Sequence, residues 1–126
     1  MPKPNYDALV SFLQEEYGDA LRWVASFDSD SMNYDVRYIR EDLKTELSGF
    51  NFDTIVHRSM VIFNRRHVED VYFHLGDAES LLVEYDEAMA VHLYLDDRRG
   101  VVIKIQRGPD VSIPEFREAC LERLES

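Results

Sequence analysis

Leu81-Leu82-Val83-Glu84-Tyr85-Asp86-Glu87-Ala88-Met89-Ala90-Val91-His92-Leu93-Tyr94-Leu95-Asp96-Asp97-Arg98-Arg99-Gly100-Val101-Val102-Ile103-Lys104-Ile105 is the stretch that decides the fold. Leu81, Val83 and Tyr85 recur with the period of a strand, and Asp86-Glu87 breaks the run. Residues 88–95 are almost unbroken in apolar character, the profile of a central strand covered on much of both faces. Asp96 to Gly100 reads as a hairpin loop, after which Val101, Ile103 and Ile105 continue as a third strand. The result is an antiparallel meander. Val83, Val91, Leu93, Ile103 and Phe116 are expected in the core, with residues 88–95 flanked by strands on both sides.

Towards the C-terminus, Arg107-Gly108-Pro109-Asp110 turns the chain out of the sheet. Ser112 and Glu115 have the spacing of a capping box for a last helix, which buries Phe116, Leu124 and either Ala119 or Cys120. Upstream of the meander, residues 71–76 read either as a short strand or as a last helical turn stopped by Gly76. A helix is expected from near Asp53, with Ile55, Val56, Ser59, Met60, Ile62 and Phe63 as its buried stripe. It ends within Arg65 to Asp70, where Arg65, Arg66 and His67 suit a helix C-terminus. Glu41 to Ser48 reads as a short helix closed by Gly49.

Further upstream, Tyr34, Val36 and Tyr38 alternate with Asp35 and Arg37 as a half-buried strand. Residues 28–31 break the pattern before it. Residues 5–27 read as one amphipathic helix, with Tyr6, Leu9, Leu13, Tyr17, Ala20, Leu21 and Val24 on its apolar face and Asn5 as N-cap. Gly18 weakens its centre by about 1 kcal/mol relative to Ala, which makes a kink or break there an open alternative. The expected class is α+β: a mainly antiparallel sheet of about four strands in the order α-β-α(α)-β-β-β-α. Helices cover at least one face, as a two-layer sandwich, and residues 1–126 form a single domain.

Composition limits function. The chain has 25 Asp+Glu against 14 Lys+Arg, a formal charge of −11, and only three of its cations are lysines. The acids are dispersed along the chain and do not form a tail. At molar salt the Debye length falls to about 3 Å, which screens the self-repulsion of such a surface. High salt also penalises the long apolar stem of lysine, whereas arginine can pair its planar fork with carboxylates. This is the pattern of a protein built for concentrated salt. The negative balance argues against nucleic-acid binding. No apolar run has the length of a membrane span, and the N-terminus lacks the apolar stretch of a signal peptide. A lone Cys120 makes no disulfide framework, so a reducing cytoplasm is the expected compartment.

Two short stretches carry a resemblance. Residues 9–22, Leu-Val-Ser-Phe-Leu-Gln-Glu-Glu-Tyr-Gly-Asp-Ala-Leu-Arg, and the step Leu75-Gly76-Asp77 before the meander resemble a family of small, uncharacterised acidic proteins of halophilic archaea. The resemblance implies a haloarchaeal cytoplasm and no assigned activity, so it brings no functional residues with it.

The reactive side chains form no familiar constellation. Asp53 and His57 lie four apart on a helix, but two ligands are too few for zinc. His92 lies in the most apolar strand and reads as a buried, hydrogen-bonded imidazole. Cys120 reads as an inert buried thiol. The five glycines are scattered and form no phosphate loop. Arg98 and Arg99 are expected to pair locally with Asp96 and Asp97. No catalytic, cofactor-binding or metal-binding residue is assigned.

The one departure from the acidic background is Arg65-Arg66-His67 followed by Tyr72 and Phe73. These five are the candidate partner-binding residues, since Arg and Tyr are enriched at hot spots. The competing reading is a helix C-terminus whose cations satisfy its last carbonyls and whose aromatics join the core. The expected function is a non-enzymatic protein-interaction or regulatory domain that binds a protein partner or self-associates as a homodimer. The alternative is a small enzyme or ligand-binding protein with a site assembled from scattered His, Tyr and Asp residues. A concave cavity holding His92, or two other histidines, with convergent polar groups would favour that alternative, whereas a flat aromatic or Arg patch would favour the first.

Overall fold

The computed structural model describes residues 3–48 and 50–126. Helix α1 spans Tyr6–Tyr17, and the Asn5 side chain accepts from the Ala8 N–H at 3.1 Å, as its N-cap role requires. The helix stops at Gly18, whose φ of +51° is a left-handed backbone that glycine adopts without a Cβ clash. One 3-10 turn over Gly18–Ala20 follows, and the chain then runs extended as β1, Leu21–Asp28. The expectation of a single helix over residues 5–27 is therefore wrong from Leu21 onward.

The cause is burial on two sides. Leu21 and Val24 enter one core, while Trp23 and Ala25 enter another. The register also shifts between Leu21 and Trp23 and between Val24 and Ala25. Irregularities of this kind abolish the period-two signal of a strand. What remains, Ala20, Leu21 and Val24, continues the helical spacing of α1 by coincidence.

The remaining elements are β2 (Asn33–Ile39), α2 (Leu43–Glu46), α3 (Phe50–Ile62), α4 (Arg65–Val71), β3 (Ser80–Glu84), β4 (Ala88–Tyr94), β5 (Arg99–Gln106) and α5 (Glu115–Leu124). They build a sheet of five strands in the order β2-β1-β5-β4-β3, with every neighbouring pair antiparallel. The expected four strands were one short, and β1 is the one missed. The meander is present as read. Every residue of β4 is buried, and the strand lies between β3 and β5. Gly100 is required where β5 begins, because a Cβ there would run into the Phe27 ring and the Leu93 carbonyl.

Helices cover both faces, which makes three layers where two were expected. On one face α1 and α5 pack Leu9, Leu13, Phe116, Cys120 and Leu124 against Val91, Leu93 and Ile103. On the other, Leu43 of α2 and Phe52, Val56 and Met60 of α3 pack against Trp23, Ala25 and Val102. Val91, Leu93, Ile103 and Phe116 are buried as expected, but Val83 is only half-buried because β3 is an edge strand. Val36 on the opposite edge strand is 44% exposed.

Three local expectations are corrected. The Ser112–Glu115 capping box does not form. Pro114 precedes the first turn of α5 without a side-chain cap, and the Phe116 N–H bonds to the Ser112 carbonyl at 2.8 Å. Helix α3 starts at Phe50, before Asp53, and turns Ile62 outward at 61% exposure. The short helix expected over residues 41–48 is confined to Leu43–Glu46, and its proposed stop, Gly49, lies outside the described residues.

Candidate functional site

Asn64 breaks the chain between α3 and α4. Its side chain accepts from the Arg66 N–H at 2.9 Å, the N-cap interaction. Arg65, Arg66 and His67 therefore open a helix and do not close one, which corrects the sequence reading. Cations are disfavoured at such an end, and Arg65 is held there by specific partners. Its Nε donates to the Ala78 carbonyl at 2.8 Å and lies 3.2 Å from the Glu69 carboxylate. Glu69 in turn accepts from the Ala78 N–H at 2.8 Å. Arg65 and Glu69 thus clamp α4 to the segment that enters β3.

The clamp closes a projecting tip. Tyr72 N–H bonds to the Glu69 carbonyl at 3.2 Å, Leu75 N–H bonds to the Tyr72 carbonyl at 2.9 Å, and Gly76 takes a φ of +88°. Residues 71–76 are a helix end followed by turns, with no strand. On this tip Val71, Tyr72, Phe73 and Leu75 are 67%, 60%, 85% and 68% exposed. The aromatics do not join the core. Phe73 instead meets the His74 ring edge-on at 5.5 Å. Of the five candidate residues, Arg66, His67, Tyr72 and Phe73 are exposed, and Tyr72 and Phe73 are the two on the tip. Arg65 is committed to the clamp, and His67 Nδ1 donates to the Val61 carbonyl at 3.2 Å. Sequence reading passed over Val71 and Leu75, although both fall in the apolar run it left open.

A second feature lies on the α3 face of the sheet. Helix α3 leaves a cavity of about 250 Å³, lined by Trp23, Ser59, Phe63, His92 and Lys104 among others. His92 is 2% exposed and packs at a tilt of 56° against Phe63, with ring centres 4.9 Å apart. Burial, and then the charge of nearby Lys104, push its pKa down to about 4, so the ring is neutral at neutral pH. Burial and the charge of Arg22 likewise lower the Lys104 pKa. The Lys104 ammonium lies 5.3 Å from the centre of the Trp23 ring and 5.8 Å from that of Tyr85.

This buried histidine yields a signed prediction. A folded pKa of about 4 against an ordinary 6.5 means that its stabilising contribution is complete above about 6.5 and lost as the pH falls towards about 4. The stability difference between the wild type and His92→Gln should therefore change across that window and be constant above it. Denaturant melts at a series of pH values would show this, and a flat difference would contradict the neutral, buried ring.

The other reactive side chains are occupied structurally. His57 Nε2 donates to the Met32 carbonyl at 3.1 Å, and the Tyr34 hydroxyl donates to Asp53, so both α3 side chains tie the helix to the β1–β2 hairpin. Among the described residues, no group of three or more His, Cys, Asp or Glu could hold a metal ion. Burial pushes the Cys120 thiol up to about 12. Arg99 pairs with Asp96 at 2.7 Å as expected, but the Arg98 side chain reaches across to Asp28, and it is the Arg98 backbone N–H that bonds to Asp96, at 3.1 Å.

No curated protein matches the chain. Among solved structures, the gliding protein MglB from Thermus thermophilus is similar with a TM-score of 0.61 and 13% identity, over 94% of this chain and 87% of that one. Myxococcus xanthus MglB is similar at 0.59 and 7%, over 99% and 88%. A structure of MglB with a tetrameric arrangement is similar at 0.60 and 9%, over 95% and 88%. At these identities the likeness is one of fold. A model for a domain of unknown function, DUF7522, matches residues 7–125, and the chain belongs to that family.

Proposed function

We propose that this protein is a non-enzymatic protein-interaction or regulatory domain of a halophile's cytoplasm, acting through self-association or a protein partner. The observation that carries the reading is the exposed apolar tip formed by Val71, Tyr72, Phe73 and Leu75, which nothing among the described residues covers. Scattered exposed apolar residues are ordinary, but a contiguous set on a clamped turn marks an interaction site. Arg66, exposed in the first turn of α4, adds a cation to an acidic chain, and the clamp from Arg65 to Ala78 lowers the ordering cost of docking the tip. In concentrated salt such a contact rests on apolar burial, because exposed ion pairs are screened. The MglB likeness supports the reading in two ways: it is a likeness to gliding proteins, and one of those structures is a tetrameric arrangement.

Light scattering in molar KCl tests the proposal. The wild type should be larger than one chain, or become so when its partner is added. Tyr72→Ala should weaken the association about tenfold or more, as loss of an aromatic hot spot does, and Arg66→Glu should weaken it less. Association that both variants leave unchanged would remove the tip from the interface.

A further inference from the structure

We propose that the cavity between α3 and the sheet binds a small anion with a flat apolar body, of the aromatic carboxylate class. This takes up the ligand-binding alternative that a cavity holding His92 favours, and it does not depend on the partner-binding role. Acids make up 25 of the 126 residues, yet none of the eleven residues lining this cavity is Asp or Glu. Two of the eleven are cations, Arg58 and Lys104. Among the described residues neither has a carboxylate within ion-pair distance, whereas most of the other arginines do. Leaving a half-buried ammonium without a counter-charge costs free energy that a bound carboxylate would offset.

The rest of the wall selects the body of the ligand. Trp23, Phe63 and Tyr85 present ring surfaces, and neutral His92 offers one nitrogen to donate and one to accept. The size also fits. An apolar cavity of about 150 Å³ holds benzene, so about 250 Å³ takes one ring with a carboxylate attached. A bare inorganic anion would leave the aromatic wall unfilled.

The protein carries its own reporter, because Trp23 is its only tryptophan and lines the cavity. Benzoate, isosteric neutral benzamide and cationic benzamidine are titrated against the intact protein in molar potassium sulfate, with Trp23 emission and melting temperature as readouts. Benzoate should give a saturable change and raise the melting temperature. Benzamide should bind at least about tenfold more weakly, the loss of one charge-assisted contact, and benzamidine should not bind. Lys104→Met, which keeps the apolar stem, should erase the preference. Arg58→Met, on the exposed side of α3, should reduce it without risk to the core. No saturable response to benzoate, equal response to benzamide, or a preference that survives in a folded Lys104→Met would overturn the proposal. If Lys104→Met does not fold, the charge series on the wild type and the Arg58→Met titration decide it.

Discussion

Leu93→Ala should destabilise the fold by about 2–5 kcal/mol, the range for truncating a fully buried leucine. Leu93 has no exposed surface, and it sits opposite Ser80 on β3 and Val101 on β5. Its side chain belongs to the core under α1 and α5, where Leu9, Leu13 and Phe116 close over the strand. Helices and neighbouring strands hold the site from every side, so the cavity left by the truncation has little room to collapse. For a chain of this size, a loss in that range lowers the melting temperature by on the order of 10 °C or more. Denaturant melts measure it directly. Phe73→Ala is the control: at 85% exposure it should change stability by no more than about 0.5 kcal/mol. A mild Leu93→Ala and a severe Phe73→Ala would reverse the assignment of core and surface.

The second large effect is salt. Molar KCl should raise the melting temperature strongly, and dilute buffer should loosen the fold. Two effects of opposite sign compete. Added salt weakens attractive surface pairs such as Lys44–Glu41 and Arg37–Asp35, whose carboxylates are 88% and 76% exposed. It also screens the repulsion of a surface at net −11. The pairs are individually worth about 0–1 kcal/mol, whereas repulsion acts among all the unpaired acids and reaches about 30 Å at 0.01 M salt but only about 3 Å at 1 M. Repulsion should dominate, and stronger apolar burial at high salt adds to the gain. The arginine-rich pairing fits the same picture: Arg40 holds Asp42 through two parallel contacts, at 2.6 and 3.0 Å, and draws its carboxyl below the usual range. Thermal melts across a KCl series would decide it, and equal stability in dilute and molar salt would remove salt adaptation.

How far the sequence carried the fold depended on how each element meets the core. The meander was legible because Leu81, Val83 and Tyr85 alternate along the chain and β4 is buried throughout and apolar but for His92, so loops at Asp86-Glu87 and at Asp96–Gly100 stood out. The α5 face was legible for the same reason, since Phe116, Cys120 and Leu124 keep helical spacing. β1 was hidden because it is covered on both faces and irregular in register, and because Gly18, the real boundary, was read as a weakness within a helix. The second layer of helices followed from that error: without Trp23 and Ala25 in a strand there was no second face for Phe52 and Val56 to cover. At the candidate site, Asn64 was the signal overlooked. An Asn between apolar and basic residues is an N-cap candidate, and taking it as one would have put the Arg65–His67 run at a helix start. The cavity was not legible at all. Its Trp23, Ser59, His92 and Lys104 come from β1, α3, β4 and β5, and only the fold brings them together.

The central proposal is that the tip from Val71 to Leu75 is the surface through which this protein acts, and sedimentation over a concentration series tests it most directly. Wild type and Phe73→Asp are compared in molar KCl, alone and with any protein that co-purifies with the wild type. Phe73 is exposed and outside both cores, so the variant should keep the wild-type melting curve. The wild type should form a larger species, and Phe73→Asp should sediment as a single chain. A wild type that stays one chain under every condition, or a Phe73→Asp variant that associates as strongly as the wild type, would contradict it.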